Sequence, residues 1–96
     1  MKFARPPGGF KISMSRGVAS LVRQRCETSP EFGRYWEDIK DRLRFVAHVE
    51  GVADSRFEKG CRLWAAAADP ERNIPRAKLV YRVLGETVHI RVASFS

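Results

Sequence analysis

The stretch Arg76 to Val92 constrains the fold most, because apolar and polar residues alternate through two runs separated by Gly85-Glu86. Successive side chains of a strand point to opposite faces. With Gly85 and Glu86 as the two loop residues of a hairpin, Leu84 lies opposite Thr87. The ladder then sets Val83 against Val88, Tyr81 against Ile90 and Leu79 against Val92 on one apolar face. The other face receives Arg82 beside His89, Val80 beside Arg91, and Arg76 and Lys78 beside Ala93 and Phe95. One hairpin therefore predicts half of a core and, behind it, a basic surface that holds a histidine.

The composition says what such a surface is suited to meet. Lys and Arg number 18 against 11 Asp and Glu, a net charge of +7, and the pI is near 10.1. That balance favours a polyanionic partner, whether nucleic acid, an anionic membrane or an acidic protein. At 96 residues the chain is read as one domain, able to bury about two-thirds of its unfolded surface. No apolar run is long enough to span a bilayer, and Met1 to Gly9 lacks the apolar middle of a signal peptide. The expectation is a soluble cytoplasmic protein with no membrane partner. Cys26 and Cys61 have no neighbouring cysteine or histidine at metal-binding spacing, so two buried thiols, no metal and no cofactor are expected.

From the start, residues 1–9 read as a flexible basic tail, since Pro6-Pro7-Gly8-Gly9 does not join regular structure. Phe10-Lys11-Ile12-Ser13-Met14 alternates and predicts a short strand with Phe10, Ile12 and Met14 inward. Ser15 can cap a helix from about Arg16 to Glu27, with Val18, Leu21 and Val22 as its apolar stripe. Ser29 and Pro30 then suit the cap and first position of a second helix running to about Val49. Its stripe is Phe32, Trp36, Ile39, Leu43 and Val46. Gly51 is a stop signal, and Val52 to Lys59 reads as a loop. Gly60 to Ala68 is taken as a strand, with Cys61 and Leu63 toward the core and Arg62 and Trp64 on the basic face. Asp69 to Asn73 is a polar turn into the hairpin. The prediction is an α+β fold of the order β-α-α-β-β-β, a helical hairpin packed on one face of a small, mostly antiparallel sheet.

The order of Phe10-Lys11-Ile12-Ser13, two helices, Gly60-Cys61-Arg62-Leu63-Trp64, Lys78-Leu79-Val80-Tyr81-Arg82-Val83 and Val88-His89-Ile90-Arg91-Val92 resembles the RelE/ParE superfamily of bacterial toxins. The resemblance covers residues 10–96. It implies a toxin of a type II toxin-antitoxin system, neutralised by an acidic, partly disordered antitoxin in a hetero-oligomer. RelE-like members cut messenger RNA on the ribosome, and ParE-like members inhibit DNA gyrase without nuclease activity. In the RelE-like pattern a basic residue precedes the aliphatic pair and tyrosine of the third strand. Lys78 holds that place here, where arginine is more usual. The last strand runs into Ala93-Ser94-Phe95-Ser96 without the basic and tyrosine residues that many of the nucleases carry, which leaves His89 and Arg91 as its candidates.

The chemistry can be stated from the residues. Attack of a 2′-hydroxyl on the adjacent phosphate needs a proton acceptor, cations for the phosphoryl oxygens and a proton for the leaving oxygen, and it requires no metal. His89 can exchange a proton near neutral pH, while Lys78, Arg82 and Arg91 can hold the phosphate. Arg62 and Arg76 extend the RNA-binding surface, and Trp64 can stack a base. The plainer readings are a surface histidine, a core tyrosine at position 81 and solubilising cations. A non-catalytic RNA-binding module on the same face is the alternative from a different class.

Overall fold

The computed structural model describes residues 8–53 and 59–96. The elements are β1 (Lys11–Met14), α1 (Arg16–Thr28), α2 (Pro30–Val46), β2 (Val52–Ala53), β3 (Cys61–Ala66), β4 (Ala77–Leu84) and β5 (Thr87–Phe95). They form an α+β fold around one sheet of order β1-β5-β4-β3-β2. β1 runs parallel to β5 and the other neighbours are antiparallel, in keeping with the mostly antiparallel sheet expected. Residues 1–7 of the expected tail and 54–58 of the expected loop lie outside the described residues.

Both helices start where a serine can supply the missing acceptor. Ser15 Oγ accepts from Val18 N at 3.3 Å and Ser29 Oγ from Phe32 N at 3.2 Å, satisfying donors that a helix start leaves without partners. Pro30 occupies the first turn of α2, where its lack of an N–H costs nothing. The stripe of α2 buries Phe32, Trp36, Ile39 and Leu43 against Leu79, Tyr81, Val88 and Ile90 in one core, joined by Val18 and Val22 of α1. Ile12 and Met14 pack against the same core from β1, facing inward as their alternation predicts.

α2 ends at Val46, short of Val49, because the sheet takes the carbonyls beyond it. Tyr81 Oη lies 2.7 Å from both Ala47 O and Glu50 O. Arg62 donates to Glu50 O at 2.7 Å and to Gly51 O at 3.0 Å. Gly51, at φ +78°, then turns the chain where a Cβ would come within 2.9 Å of Leu63 O. Val52 and Ala53 beyond it are not loop: they pair with Leu63 and Arg62 as the short edge strand β2.

Two face assignments differ from the sequence reading. The hairpin keeps its expected register from Leu84↔Thr87 down to Tyr81↔Ile90, and then shifts by one between Val80 and Tyr81. Arg91 is the extra residue of a β-bulge, and a bulge reverses the parity of all that follows it. Leu79 thus faces Ala93, Val80 faces Val92, and Lys78 faces Ser94. Val92 is 44 % exposed, and Phe95, expected on the basic face, is buried in the core, edge-on to Phe32 at 4.9 Å and to Trp36 at 5.9 Å. In β3 the expected faces are exchanged. Trp64 pairs with Leu79 and Arg62 with Tyr81, so both point to the helices, while Cys61 and Leu63 share the outer face with Arg82 and Val80.

Candidate nucleic-acid interface

The helices cover one face of the sheet, and the register assigns the other face row by row. Ser13, His89, Arg82 and Cys61 lie side by side across four strands. Val92, Val80, Leu63 and Val52 form the next outward row, and Ser94, Lys78 and Ala65 the one after it. Arg76 exchanges two backbone hydrogen bonds with Ser96, 2.7 and 2.9 Å, and continues the parity of Lys78. Arg91 sits at the bulge. It and Val92 are both exposed, two consecutive outward residues in a strand that otherwise alternates.

Lys78, Arg82, His89, Arg91 and Arg76 therefore share the outer face, as the alternation predicts. The structure also grades their proximity. Arg82 and His89 are direct cross-strand partners and Arg91 is two residues from His89. Lys78 is four residues from Arg82 along β4, about 13 Å at the rise of an extended strand. The Arg82–His89 pair thus belongs to one locus, and Lys78 to a neighbouring one, with the Val80–Val92 row between them. Within that row Val92 is 44 % exposed but Val80 only 3 %, so a polyanion laid along β4 meets Arg82 and Lys78 on either side of a buried valine.

Two neighbours of this locus escape a reading of the hairpin alone. Gly60, at φ +90°, lies under the Arg82 guanidinium, and a Cβ there would come within 3.2 Å of Arg82 Nε. Glycine at this position both allows the backbone turn and leaves room for Arg82 to lie over the start of β3. Ser13 comes beside His89 only because β1 joins the sheet parallel to β5. The alternation of Phe10 to Met14 gives the outward side of Ser13, but nothing local gives its neighbour.

Arg62 and Trp64, expected to bind RNA from this face, are engaged on the opposite one. Trp64 is 9 % exposed, and its Nε1 donates to Glu50 Oε2 at 3.0 Å. Arg42 donates to Glu50 Oε1 at 2.7 Å, and this bond holds the Glu50 carboxyl below its ordinary pKa. Tyr81, wholly buried, spends its hydroxyl on backbone carbonyls, and burial raises its phenol above the ordinary value. These groups anchor the chain after α2. Among the described outward residues of this face, His89 is the single imidazole.

The charge distribution sets this face apart. No Asp or Glu occurs in any of the five strands, so the strands themselves bring cations and no carboxylate to this face. A cleft of about 340 Å³ between the α1–α2 junction and the β3–β4 connection is lined by Arg25, Phe32, Ile74 and Pro75 among others, but by none of the outer-face candidates. An extended polyanion is held by charges spread over an open surface and needs no such enclosure. No group of three or more potential metal-ligating side chains occurs among the described residues, and no described helix is long and apolar enough to cross a membrane. Compared with protein-family models, curated proteins and solved structures, the chain matches none.

Proposed function

We propose that the chain is a RelE-like toxin that binds messenger RNA along the outer face of its sheet on the ribosome, cuts it without a metal, and is neutralised by an acidic antitoxin. The observation that carries the reading is a sheet face on which Arg82 and His89 are direct cross-strand neighbours with Arg91 beside them, in strands that carry no Asp or Glu. In the proposed step His89 takes the proton of a 2′-hydroxyl as its oxygen attacks the adjacent phosphorus. Arg82 and Arg91 stabilise the phosphoryl charge, and the 5′-oxygen leaves and takes a proton from solvent. Lys78 and Arg76 hold further phosphates. The net charge of +7 favours fast capture by an acidic partner.

One observation favours a second reading, an RNA-binding module that does not cut. General acid–base cleavage uses two proton-transfer groups, and with Tyr81 buried His89 is the single imidazole among the described outward residues of this face. Expression of the wild type and of His89→Ala, with message ends mapped on ribosomes, separates the readings. The RelE-like reading expects cut messages, and cutting lowered about a hundredfold or more in His89→Ala with the fold intact. Intact messages beside growth arrest and DNA breaks would favour a ParE-like gyrase inhibitor. Intact messages that still bind the protein would favour the module, and undiminished cutting in His89→Ala would remove that histidine from the step.

A further inference from the structure

The bulge that delivers Arg91 to the outer face is fastened from outside its own hairpin. A bulge locally breaks the ladder and leaves backbone groups that need partners elsewhere. Ser15, between β1 and α1, supplies one such partner, next to the bond that closes the parallel β1–β5 ladder. Its backbone N–H donates to Ile90 O at 3.0 Å, and its hydroxyl donates to Arg91 O at 3.1 Å. The same hydroxyl oxygen accepts from Val18 N at 3.3 Å, so one side chain starts α1 and grips the extra residue of β5. Ser29 offers the internal contrast. It caps α2 through the same bond from the N–H three residues on, but its hydroxyl donates locally, to Glu31 Oε2 at 3.2 Å.

We propose that Ser15 is a positioning residue for Arg91, its hydroxyl holding the bulge in the conformation that presents this cation to a bound phosphate chain. The proposal rests on the reading of the outer face as a polyanion site. A cap alone needs only an oxygen that accepts from the helix N–H groups. Donation to a carbonyl 76 residues away is a separate function of the hydroxyl proton. Ser15→Ala removes both, Ser15→Thr keeps both, and Ser29→Ala removes a cap with no link to β5.

The test has two readouts, amide exchange of the folded proteins and binding of a short oligouridylate across a salt series. Ser15→Ala is expected to speed exchange at the Arg91 and Val92 amides about tenfold or more, with no such change in Ser29→Ala or Ser15→Thr. In binding, Arg91→Ala is expected to lower the slope of log affinity against log salt by about 0.7, one phosphate contact on a single strand. Ser15→Ala should lower it in the same direction and add nothing in the Arg91→Ala background. Unchanged exchange at the bulge overturns the proposal whatever RNA does. Faster exchange with a wild-type slope in Ser15→Ala, where Arg91→Ala does lower it, overturns the proposal and leaves the outer-face reading standing. If neither variant changes the slope, the outer-face reading fails at Arg91 and the proposal fails with it.

Discussion

The two faces of the sheet are cut from the same strands and obey opposite rules. On the helix side Leu79, Tyr81, Val88 and Ile90 are fully buried, and nearby polar groups find partners inside the protein: Tyr81 Oη, Trp64 Nε1 and the Arg62 guanidinium all end on the segment Ala47 to Gly51. Tyr35 Oη and Trp36 Nε1 are exceptions, buried with no hydrogen-bond partner among the described residues. On the other side, cations gather with no carboxylate in any strand. Burial makes an unmatched polar group costly, by about 1–3 kcal/mol, whereas like charges on an open surface are screened by water and salt. The helix side thus carries stability, and the outer side is free to be shaped for a partner.

The largest test of this division uses neighbouring residues on opposite faces. Leu79→Ala should cost about 2–5 kcal/mol, the range for emptying a fully buried leucine site. Lys78→Ala should change stability by less than about 0.5 kcal/mol while weakening RNA binding and flattening its salt dependence. Urea unfolding of both variants checks the first pair of values. A loss at Lys78 as large as that at Leu79 would break the comparison.

The division is partly legible in the sequence. Alternation on either side of Gly85-Glu86 gave the turn, the paired strands and the outward set Lys78, Arg82 and His89, because the strand period is two and the turn fixes register. Gly85, at φ +59°, supplies the positive φ that such a turn requires. The bulge left a mark that is clear in retrospect. The inward apolar residues change parity from Val88 and Ile90 to Ala93 and Phe95, with Arg91 and Val92 at the change. Trp64 and Arg62 were not legible, since Cys61 to Ala66 lacks an alternation strong enough to assign faces, and the deciding contacts come from Glu50 and Gly51. The parallel pairing of β1 with β5 and the two-residue β2 depend on contacts distant in sequence, which no local pattern carries.

Tyr81 sharpens the comparison, because its residue type suits proton transfer but its place is on the inner face. Tyr81→Phe keeps the ring in the core and removes the donor to Ala47 O, at an expected cost of about 1–2 kcal/mol. Glu50 O, which also accepts from Arg62, remains satisfied. RNA binding and any cutting should remain at wild-type levels once the variant is assayed well below its melting temperature. A large loss of activity with little loss of stability would move Tyr81 into the functional site and undo the assignment of faces.

The smallest expected effect concerns Glu50, the carboxylate that closes the helix side at its edge. Arg42 holds it below its ordinary pKa, against the opposing effect of burial. A carboxyl with a depressed folded-state pKa contributes stability above the unfolded value, and loses it as the pH falls through the folded one. With an ordinary glutamate value of 4.5, that contribution is complete near neutral pH and fades below about pH 4.5. Glu50→Gln keeps an oxygen for Trp64 Nε1 and removes the charge that pairs with Arg42. Because Arg42 is largely exposed, the expected loss at pH 7 is only about 0.5–1 kcal/mol. The gap between wild type and variant should narrow as the pH drops from 5 toward 3. Thermal unfolding across that range measures it, and a gap that holds constant or widens on acidification would remove the Arg42–Glu50 pair from the groups that stabilise the helix side.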